Sequence, residues 1–284
     1  MKKVILITGT SSGFGKLTAT AMLEAGHQVY ATMRDIGCQS ADELRKLGAN
    51  VLTLDVTDNN SIQQAFDIIS AKEESLDVIV NNAGIAAAGI SESFDVSQVQ
   101  SMFDVNVMGV LRVTQAALPI MRKQQDGLII NIGSILGRVT FPFFGLYGAS
   151  KYAVEAMTDS LSYELSQLGI DVALIQPSAY PTNMYGSALT PVHENIIQHY
   201  GDIANIPSAI SDNLAAMFSA EDAPNPIDIA NAVVALIVQK KGQRNKRTVV
   251  GASFGADAAN EQIAPIQSGL MAALELSALE ELKI

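Results

Sequence analysis

Seven short apolar runs, rich in β-branched residues, recur along the chain and are separated by longer helical patterns. Most of the runs are continuously apolar rather than alternating with polar residues, which is typical of strands buried on both faces. Strands of this kind that alternate with helices predict an α/β fold built on one doubly wound parallel sheet of about seven strands, with helices on both faces. The predicted strands are Val4–Thr8, Val29–Thr32, Val51–Asp55, Val78–Asn81, Leu128–Ile132, Val172–Gln176 and Thr248–Gly251.

The helical patterns fill the intervals, at Gly15–Ala25, Ala41–Leu47, Ser61–Ala71, Val99–Lys123, Gly148–Leu168, Asp228–Gln239 and roughly Ala258–Glu281. One interval departs from the rhythm, because the segment from Pro177 to Pro226 contains no strand pattern. A long excursion within a compact domain is commonly a lid or a binding segment. We expect a single domain over residues 1–284 with a lid insertion around 183–225. The alternative is a group of surface helices without a special role.

Charge and cysteine content exclude several function classes. Acidic side chains outnumber basic ones by 29 to 18, which disfavours a nucleic-acid partner because phosphate binding needs a basic face. Cys38 is the only cysteine, so we expect no intramolecular disulfide and no metal site. The apolar run after Lys2 and Lys3 is too short for a signal peptide, and Val233–Val238 is too short to span a bilayer. We therefore expect no membrane span and a cytoplasmic location.

A glycine-rich turn follows the first predicted strand and leads into the first helix. Its spacing is G-x-x-x-G-x-G, and its residues include Gly9, Ser11, Ser12, Gly13, Phe14 and Gly15. Glycines let the backbone approach a pyrophosphate closely, and the helix N-terminus offers free N–H groups. The turn therefore predicts the phosphate site of a Rossmann-type dinucleotide-binding domain.

The same turn also fits the G-x-S-x-G nucleophile elbow of α/β serine hydrolases, with Ser11 as the nucleophile. Two observations make this a remote alternative. The motif follows the first strand, so no earlier strand end can supply the second oxyanion amide. The histidines are His27, His193 and His199, and the last two lie in the proline-rich excursion.

The end of the second predicted strand bears on the choice of cofactor. An acidic residue about 20 positions past the phosphate loop usually binds the adenosine ribose, and Met33 stands where that acid is expected. Arg34 favours the extra phosphate of NADP, whereas Asp35 favours NAD. We expect NADP(H), with NAD(H) as the alternative. Both charged residues are also compatible with an ordinary turn.

Tyr147 and Lys151 are four residues apart at the start of a predicted helix, so their side chains share one face. A nearby cation lowers the pKa of a phenol, and a shift of about two units corresponds to roughly 2.7 kcal/mol. We expect this pair to be catalytic; a surface pair is the alternative. Ser134 follows the buried strand Leu128–Ile132. Asn106 is polar within an apolar helix, where a satisfied core amide is the other interpretation.

Together these pieces resemble the short-chain dehydrogenase/reductase family over roughly residues 3–182. The matching pieces, in the family's order and spacing, are Thr8-Gly9-x-x-x-Gly13-x-Gly15, Asp55-Val56-Thr57, Asn82-Ala83-Gly84, Asn106, Ser134 and Tyr147-x-x-x-Lys151. The family usually has a glycine after the proline that ends the sixth strand. This chain has Ser178 there, which leaves the local backbone path open.

The resemblance implies a role for each matching residue. Tyr147 transfers a proton to or from the substrate oxygen, Lys151 lowers the pKa of Tyr147 and holds the nicotinamide ribose, and Ser134 hydrogen-bonds the substrate oxygen. Asn106 supports a water in a proton relay. The residues expected at the cofactor are Gly9, Ser11, Ser12, Gly13, Phe14, Gly15, Arg34, Asp55, Val56, Asn82, Ala83, Gly84, Tyr147, Lys151, Pro177 and Thr182.

The implied activity is NAD(P)(H)-dependent interconversion of a carbonyl and a secondary or primary alcohol. Apolar residues in the excursion and before Tyr147 predict a hydrophobic small-molecule substrate; the alternative is that they only pack the lid. The Tyr30–Asp35 turn and the lid resemble those of the retinol- and hydroxysteroid-dehydrogenase-like members, a resemblance that sets no substrate. The family resemblance also implies a homodimer or homotetramer formed through Val99–Lys123 and Gly148–Leu168. We expect an amphipathic C-terminal helix, Leu270–Leu282, at an interface or over the core. The rival function is a non-catalytic NADP-binding sensor.

Overall fold

A computed structural model describes residues 2–284 and contains one seven-stranded, entirely parallel sheet. The strand order is β3-β2-β1-β4-β5-β6-β7, so the chain winds outward in both directions from the β1–β4 pair. The predicted doubly wound α/β fold is confirmed, and ligands of such sheets bind beyond the carboxyl ends of the strands at this reversal point. The strands are β1 (Val4–Thr8), β2 (Gln28–Met33), β3 (Asn50–Thr53), β4 (Val78–Asn81), β5 (Gly127–Ile132), β6 (Ile170–Pro177) and β7 (Arg247–Val250).

Helices cover both faces of the sheet because alternate strand residues point to opposite sides. Ile5 and Ile7 pack with residues of α1, α2 and α10, whereas Val4 and Leu6 pack with residues of α3, α5 and α6. The helices are α1 (Gly13–Glu24), α2 (Gln39–Lys46), α3 (Asn59–Lys72), α4 (Val96–Phe103), α5 (Gly109–Gln124), α6 (Gly145–Ser166), α7 (Asn183–Gly186), α8 (Glu194–Ile197), α9 (Ile206–Ser219), α10 (Ile227–Val238) and α11 (Ala256–Ala273).

The predicted helix Val99–Lys123 is interrupted by a π-helical turn, Asp104–Met108, between α4 and α5. The extra residue of the turn places Asn106 inward, where it is buried. Immediately after the turn Gly109 lies close to Val56, since a Cβ atom there would be 2.8 Å from the Val56 Cγ2 atom. The turn therefore lets the helix pass close to the loop after β3 while Asn106 points into the protein.

The prediction of a continuous C-terminal helix, Leu270–Leu282, is wrong. Helix α11 ends at Ala273, and Glu275 adopts a left-handed conformation with φ of 59°. The Glu275 N–H bonds the Ala272 carbonyl at 3.0 Å, and the Leu276 N–H bonds the Met271 carbonyl at 2.8 Å. These bonds satisfy the last carbonyls of the helix and terminate it. A short 3₁₀ turn, Ser277–Glu280, follows.

The excursion after β6 runs through α7, α8, a 3₁₀ segment at Gln198–Asn205, and α9 before α10 returns the chain to the sheet. We call residues 183–225 the lid segment. Within residues 2–284, the only β-type pairing of the lid segment is an isolated parallel bridge between Leu189 and Ala87. Within the same residues, no helix is long and apolar enough to cross a membrane.

Candidate active site

The glycine-rich turn after β1 is held against the end of β4. The Thr8 hydroxyl accepts hydrogen bonds from the Asn82 and Ala83 N–H groups, both at 3.0 Å, and Asn82 Nδ2 donates to the Thr8 carbonyl at 2.8 Å. Gly9 has φ of +69°, and a Cβ atom on Gly15 would lie 2.4 Å from both Asn82 Nδ2 and the Gly9 carbonyl oxygen. Glycine is therefore required at both positions, by conformation at Gly9 and by space at Gly15.

Helix α1 presents an open N-terminus to the cavity in front of this turn. No side chain caps the helix, and its first turn carries no acidic residue. The free N–H groups and the positive end of the helix dipole favour an anion there, so the site fits the pyrophosphate of a dinucleotide. The cavity has a volume of about 270 Å³, and the predicted cofactor residues that line it are Gly9, Ser11, Ser12, Gly13, Phe14, Arg34, Asp55, Val56, Asn82, Ala83, Gly84 and Thr182. Gly15 is absent from this lining.

The three residues weighed for cofactor choice differ in position at the end of β2. Met33 and Arg34 line the cavity, whereas Asp35 does not. Asp35 Oδ1 instead accepts a hydrogen bond from the Gly37 N–H at 2.8 Å, as in an ordinary turn. Asp55 lies across the same cavity; burial opposes its ionisation, but hydrogen bonds from Thr57 and the charge of Arg34 hold its pKa below the ordinary value. Of the two charged residues that follow β2, only the cation, Arg34, thus lines the cavity in which a nucleotide would bind.

A larger cavity of about 580 Å³ adjoins the first one and contains four further predicted site residues. Ser134, Tyr147, Lys151 and Pro177 all line it. Most of its surface is apolar and comes from the loop after β5, from the start of α6 and from the lid segment. The two cavities share the lining residues Phe14, Asn82, Thr182 and Met184. A dinucleotide held in the first cavity would therefore reach the groups of the second.

Tyr147 and Lys151 are both buried in the first two turns of α6. Lys151 Nζ lies 5.6 Å from the centroid of the Tyr147 ring and donates to the Ile132 carbonyl at 2.9 Å. Burial raises the pKa of Tyr147, the nearby Tyr185 raises it further, and Ser134 acts in the opposite direction. Burial also lowers the pKa of Lys151 to about 8. The expected lowering of the Tyr147 pKa is thus reversed, because burial in this apolar pocket disfavours the charged form of both groups.

Asn106 lies behind these residues and does not line the cavity. Its Oδ1 atom accepts from the Ile85 N–H at 2.8 Å, and its Nδ2 group donates to the Ile85 carbonyl at 2.8 Å and to Ser150 Oγ at 3.0 Å. Ser150 Oγ in turn donates to the Tyr147 carbonyl at 2.7 Å. Asn106 therefore joins the strand-end loop at Ile85 to α6, which agrees with a satisfied core amide.

Ser178, the departure after β6, is accommodated by a glycine on the neighbouring strand end. The Ser178 N–H bonds the Val250 carbonyl at 2.9 Å, which extends the β6–β7 pairing by one residue. Gly251 has φ of +86°, and a Cβ atom on it would lie 2.2 Å from Ser178 Oγ. Ser178 itself keeps a negative φ. The backbone path is thus regular, and the serine occupies space that Gly251 leaves free.

Sequence reasoning missed a buried ion-pair network one helical turn beyond Lys151. Glu155 accepts from Arg247 Nε at 2.9 Å and lies 2.9 Å from Arg138 NH2, and it also bonds Gln176. Asn260 links Gln176 to Arg138 through bonds of 2.7 and 3.0 Å. The signal available in the sequence was the i, i+4 ladder of Tyr147, Lys151 and Glu155 on α6. Its partners on β7 and α11 are distant in sequence and carry no such signal.

The hydrolase alternative fails on geometry. Ser11 lines the phosphate cavity, whereas His27 accepts a bond from the Lys3 N–H at 3.2 Å and His193 lies 3.8 Å from Asp95. Among the hydrogen bonds of residues 2–284, none joins Ser11 to a histidine. A group of three or more metal-binding side chains is likewise not found in this range.

Comparison with known proteins identifies the class. The family model for short chain dehydrogenases matches residues 3–192, two thirds of the chain. The chain therefore belongs to the short-chain dehydrogenase/reductase family and is an NAD(P)-dependent oxidoreductase. A solved short-chain dehydrogenase from Streptomyces avermitilis covers 98% of both chains with a TM-score of 0.78 and 28% identity. A relative from Burkholderia phymatum, solved with NAD, covers 95% of both with a TM-score of 0.74 and 25% identity.

Two relatives named for an activity match over about two thirds of the chain. A 3-ketodihydrosphingosine reductase from Bacteroides thetaiotaomicron is 40% identical over 180 residues, which is 63% of this chain and 65% of the relative. Retinol dehydrogenase 8 from Homo sapiens is 34% identical over 198 residues, 67% of this chain and 63% of the relative. The chain thus matches slightly less than two thirds of the length of each. Other solved neighbours contain NADP or NADPH.

Proposed function

We propose that the protein interconverts a carbonyl and an alcohol on a hydrophobic small molecule, with NADP(H) as cofactor and Tyr147 as the proton donor or acceptor. The observation that carries the proposal is the larger cavity, which brings Ser134, Tyr147 and Lys151 together in a mostly apolar lining next to the phosphate site. The names of the two relatives, a ketodihydrosphingosine reductase and a retinol dehydrogenase, agree with a large apolar substrate.

The burial of Tyr147 suits it to the reductive direction. NADP(H), when bound, supplies the hydride chemistry. A phenol with a raised pKa is protonated at neutral pH, so it can donate its proton to a carbonyl oxygen. Ser134 holds the same oxygen with its hydroxyl. Lys151 donates one hydrogen bond to the Ile132 carbonyl, and its other N–H groups are available to ribose hydroxyls. Asn106 keeps its proposed place in a proton relay behind Tyr147.

Replacing Tyr147 by Phe tests this assignment. We expect the wild type to oxidise NADPH with members of a panel of apolar aldehydes and ketones, followed by the absorbance of the reduced nicotinamide. Tyr147→Phe removes the proton donor and keeps the ring, so kcat/KM should fall at least ~100-fold while NADPH binding is retained. Tyr152→Phe, an exposed tyrosine on the same helix, is the matched control. Tight NADPH binding without turnover of any panel member would instead favour a non-catalytic sensor.

Arg34 is the proposed reader of the NADP phosphate, because it lines the cofactor cavity while Asp35 is held in its own turn. A charge-assisted hydrogen bond contributes about 1.5–3 kcal/mol. Arg34→Ala should therefore weaken the binding of NADPH roughly 10- to 100-fold and the binding of NADH less than about twofold. Nicotinamide fluorescence on titration measures both dissociation constants. Arg45→Ala, an exposed arginine paired with Asp42, is the control. Equal weakening of the two cofactors would contradict the assignment and leave NAD(H) as the alternative.

Three further parts of the proposal concern the whole chain. We propose that residues 1–284 act as one catalytic domain in which residues 183–225 close over the substrate, since Met184, Tyr185 and Met217 of that segment line the substrate cavity. We also propose a homodimer or homotetramer that packs through α4–α5 and α6. The cytoplasm is the proposed location.

A further inference from the structure

The polar groups of the substrate cavity are not all accounted for by the proposed chemistry. Ser134, Tyr147 and Lys151 belong to the reacting centre, and the Tyr180 hydroxyl lies 3.4 Å from Asp228 Oδ2, its hydrogen-bond acceptor. Tyr185, which lines the same cavity, has no hydrogen-bond partner for its hydroxyl among residues 2–284. This hydroxyl is therefore free to hydrogen-bond a ligand in the cavity.

The lid segment holds Tyr185 near the reacting centre. Its ring packs on Phe218 of α9, with centroids 5.2 Å apart and an interplanar angle of 54°. The preceding residue, Met184, packs in the apolar cluster that contains Tyr147. Tyr185 is also close enough to Tyr147 to affect its ionisation. Two phenols, Tyr147 on α6 and Tyr185 on the lid segment, therefore line the same cavity.

We propose that Tyr185 is a specificity-determining residue, which hydrogen-bonds a second oxygen on the substrate, a hydroxyl or carbonyl next to the carbon that reacts. This inference rests on the proposed function. It narrows the substrate class to ketones that carry a second oxygen next to the reacting carbon, or to the corresponding alcohols. Burial raises the pKa of Tyr185 to about 12, so its hydroxyl stays protonated and both donates and accepts at neutral pH. A site built around such a hydroxyl discriminates against ligands that leave it unpaired.

Matched ketone pairs test the inference. Acetophenone is compared with α-hydroxyacetophenone, and 2-octanone with 1-hydroxy-2-octanone, in the wild type and in Tyr185→Phe. The substitution keeps the ring contact with Phe218 and removes only the hydroxyl. We expect KM for the hydroxyketones to rise about 10-fold in the variant, while kinetics with the plain ketones change less than about twofold. Tyr200 is a lid tyrosine that hydrogen-bonds Glu92 and does not line the cavity, so Tyr200→Phe should change the kinetics with neither member of a pair.

The outcomes separate this inference from the function on which it rests. If Tyr185→Phe still reduces the plain ketones and its KM for the hydroxyketones equals that of the wild type, the role of Tyr185 alone is overturned. An equal loss on both members of a pair also overturns it, because that result indicates a structural or general catalytic role. Absence of turnover with every carbonyl, together with retained NADPH binding, overturns the proposed function and this inference with it.

Discussion

Tyr147 and Lys151 meet in a pocket that disfavours charge on either. A buried ammonium usually loses its proton more readily, and a buried phenol keeps its proton more firmly. Lys151 has one hydrogen bond, to the Ile132 carbonyl, and burial lowers its pKa from 10.5 to about 8. Burial of the Lys151 ammonium therefore lowers the stability of the folded protein at neutral pH.

This cost predicts a pH-dependent stability difference between the wild type and Lys151→Met. Below pH 8 the lysine is protonated in both the folded and the unfolded state, so folding carries the full cost of burying the charge. Between pH 8 and 10.5 the folded protein releases the proton while the unfolded chain keeps it, so the cost falls as pH rises. We therefore expect wild-type stability to rise relative to the variant from pH 7 to pH 9.5.

Calorimetric melting at pH 7 and pH 9.5 measures this change. The wild-type Tm should gain at least a few degrees on the Lys151→Met Tm over this interval, since about 1 kcal/mol corresponds to roughly 2–4 °C in chains of 150–250 residues. The Tm difference between the two proteins at any single pH also includes the cost of leaving the Ile132 carbonyl unpaired in the variant. Only the change of this difference with pH therefore tests the prediction. Lys123→Met, an exposed lysine on α5, controls for loss of a lysine as such. Parallel curves for wild type and Lys151→Met would contradict the prediction.

Among the elements, the sequence predicted those whose signal is local. All seven strands were predicted because a parallel sheet covered on both faces leaves continuous apolar runs. The phosphate loop was predicted for the same reason, since its glycines are required by contacts within a few residues or at the adjacent strand end. The position of Tyr147 and Lys151 on one buried face of α6 follows from their four-residue spacing alone.

Elements that depend on distant contacts were not predictable in this way. The π-helical turn at Asp104–Met108 arises where Asn106 bonds Ile85, a residue 21 positions away. Likewise, the fit of Ser178 depends on Gly251, which directly follows another strand, β7. The pKa of Tyr147 was predicted with the wrong sign because spacing shows the nearby cation but not the burial. The spacing of a motif thus predicts which residues share a site, whereas their ionisation depends on how they are packed.

The outer surface of the whole molecule carries apolar side chains that the monomer leaves uncovered. Met108, at the end of the π-helical turn, is 45% exposed, and Tyr152 on α6 is 41% exposed. Small residues, Ala149 and Ala156, are also exposed on α6 and allow another helix to approach closely. Large exposed apolar residues on a flat helical face favour a protein interface. These features support the proposed assembly through α4–α5 and α6.

Light scattering on the purified protein tests the assembly. We expect a mass of twice or four times that of the 30.1 kDa chain. The double variant Met108→Glu/Tyr152→Glu should shift the protein toward the monomer mass, because a two-fold interface repeats each substitution and so brings four like charges together. Val238→Glu, at a still more exposed apolar position on α10 against the opposite face of the sheet, should leave the mass unchanged. A monomeric wild type would contradict the assembly, and an unaffected double variant would place the interface on another face.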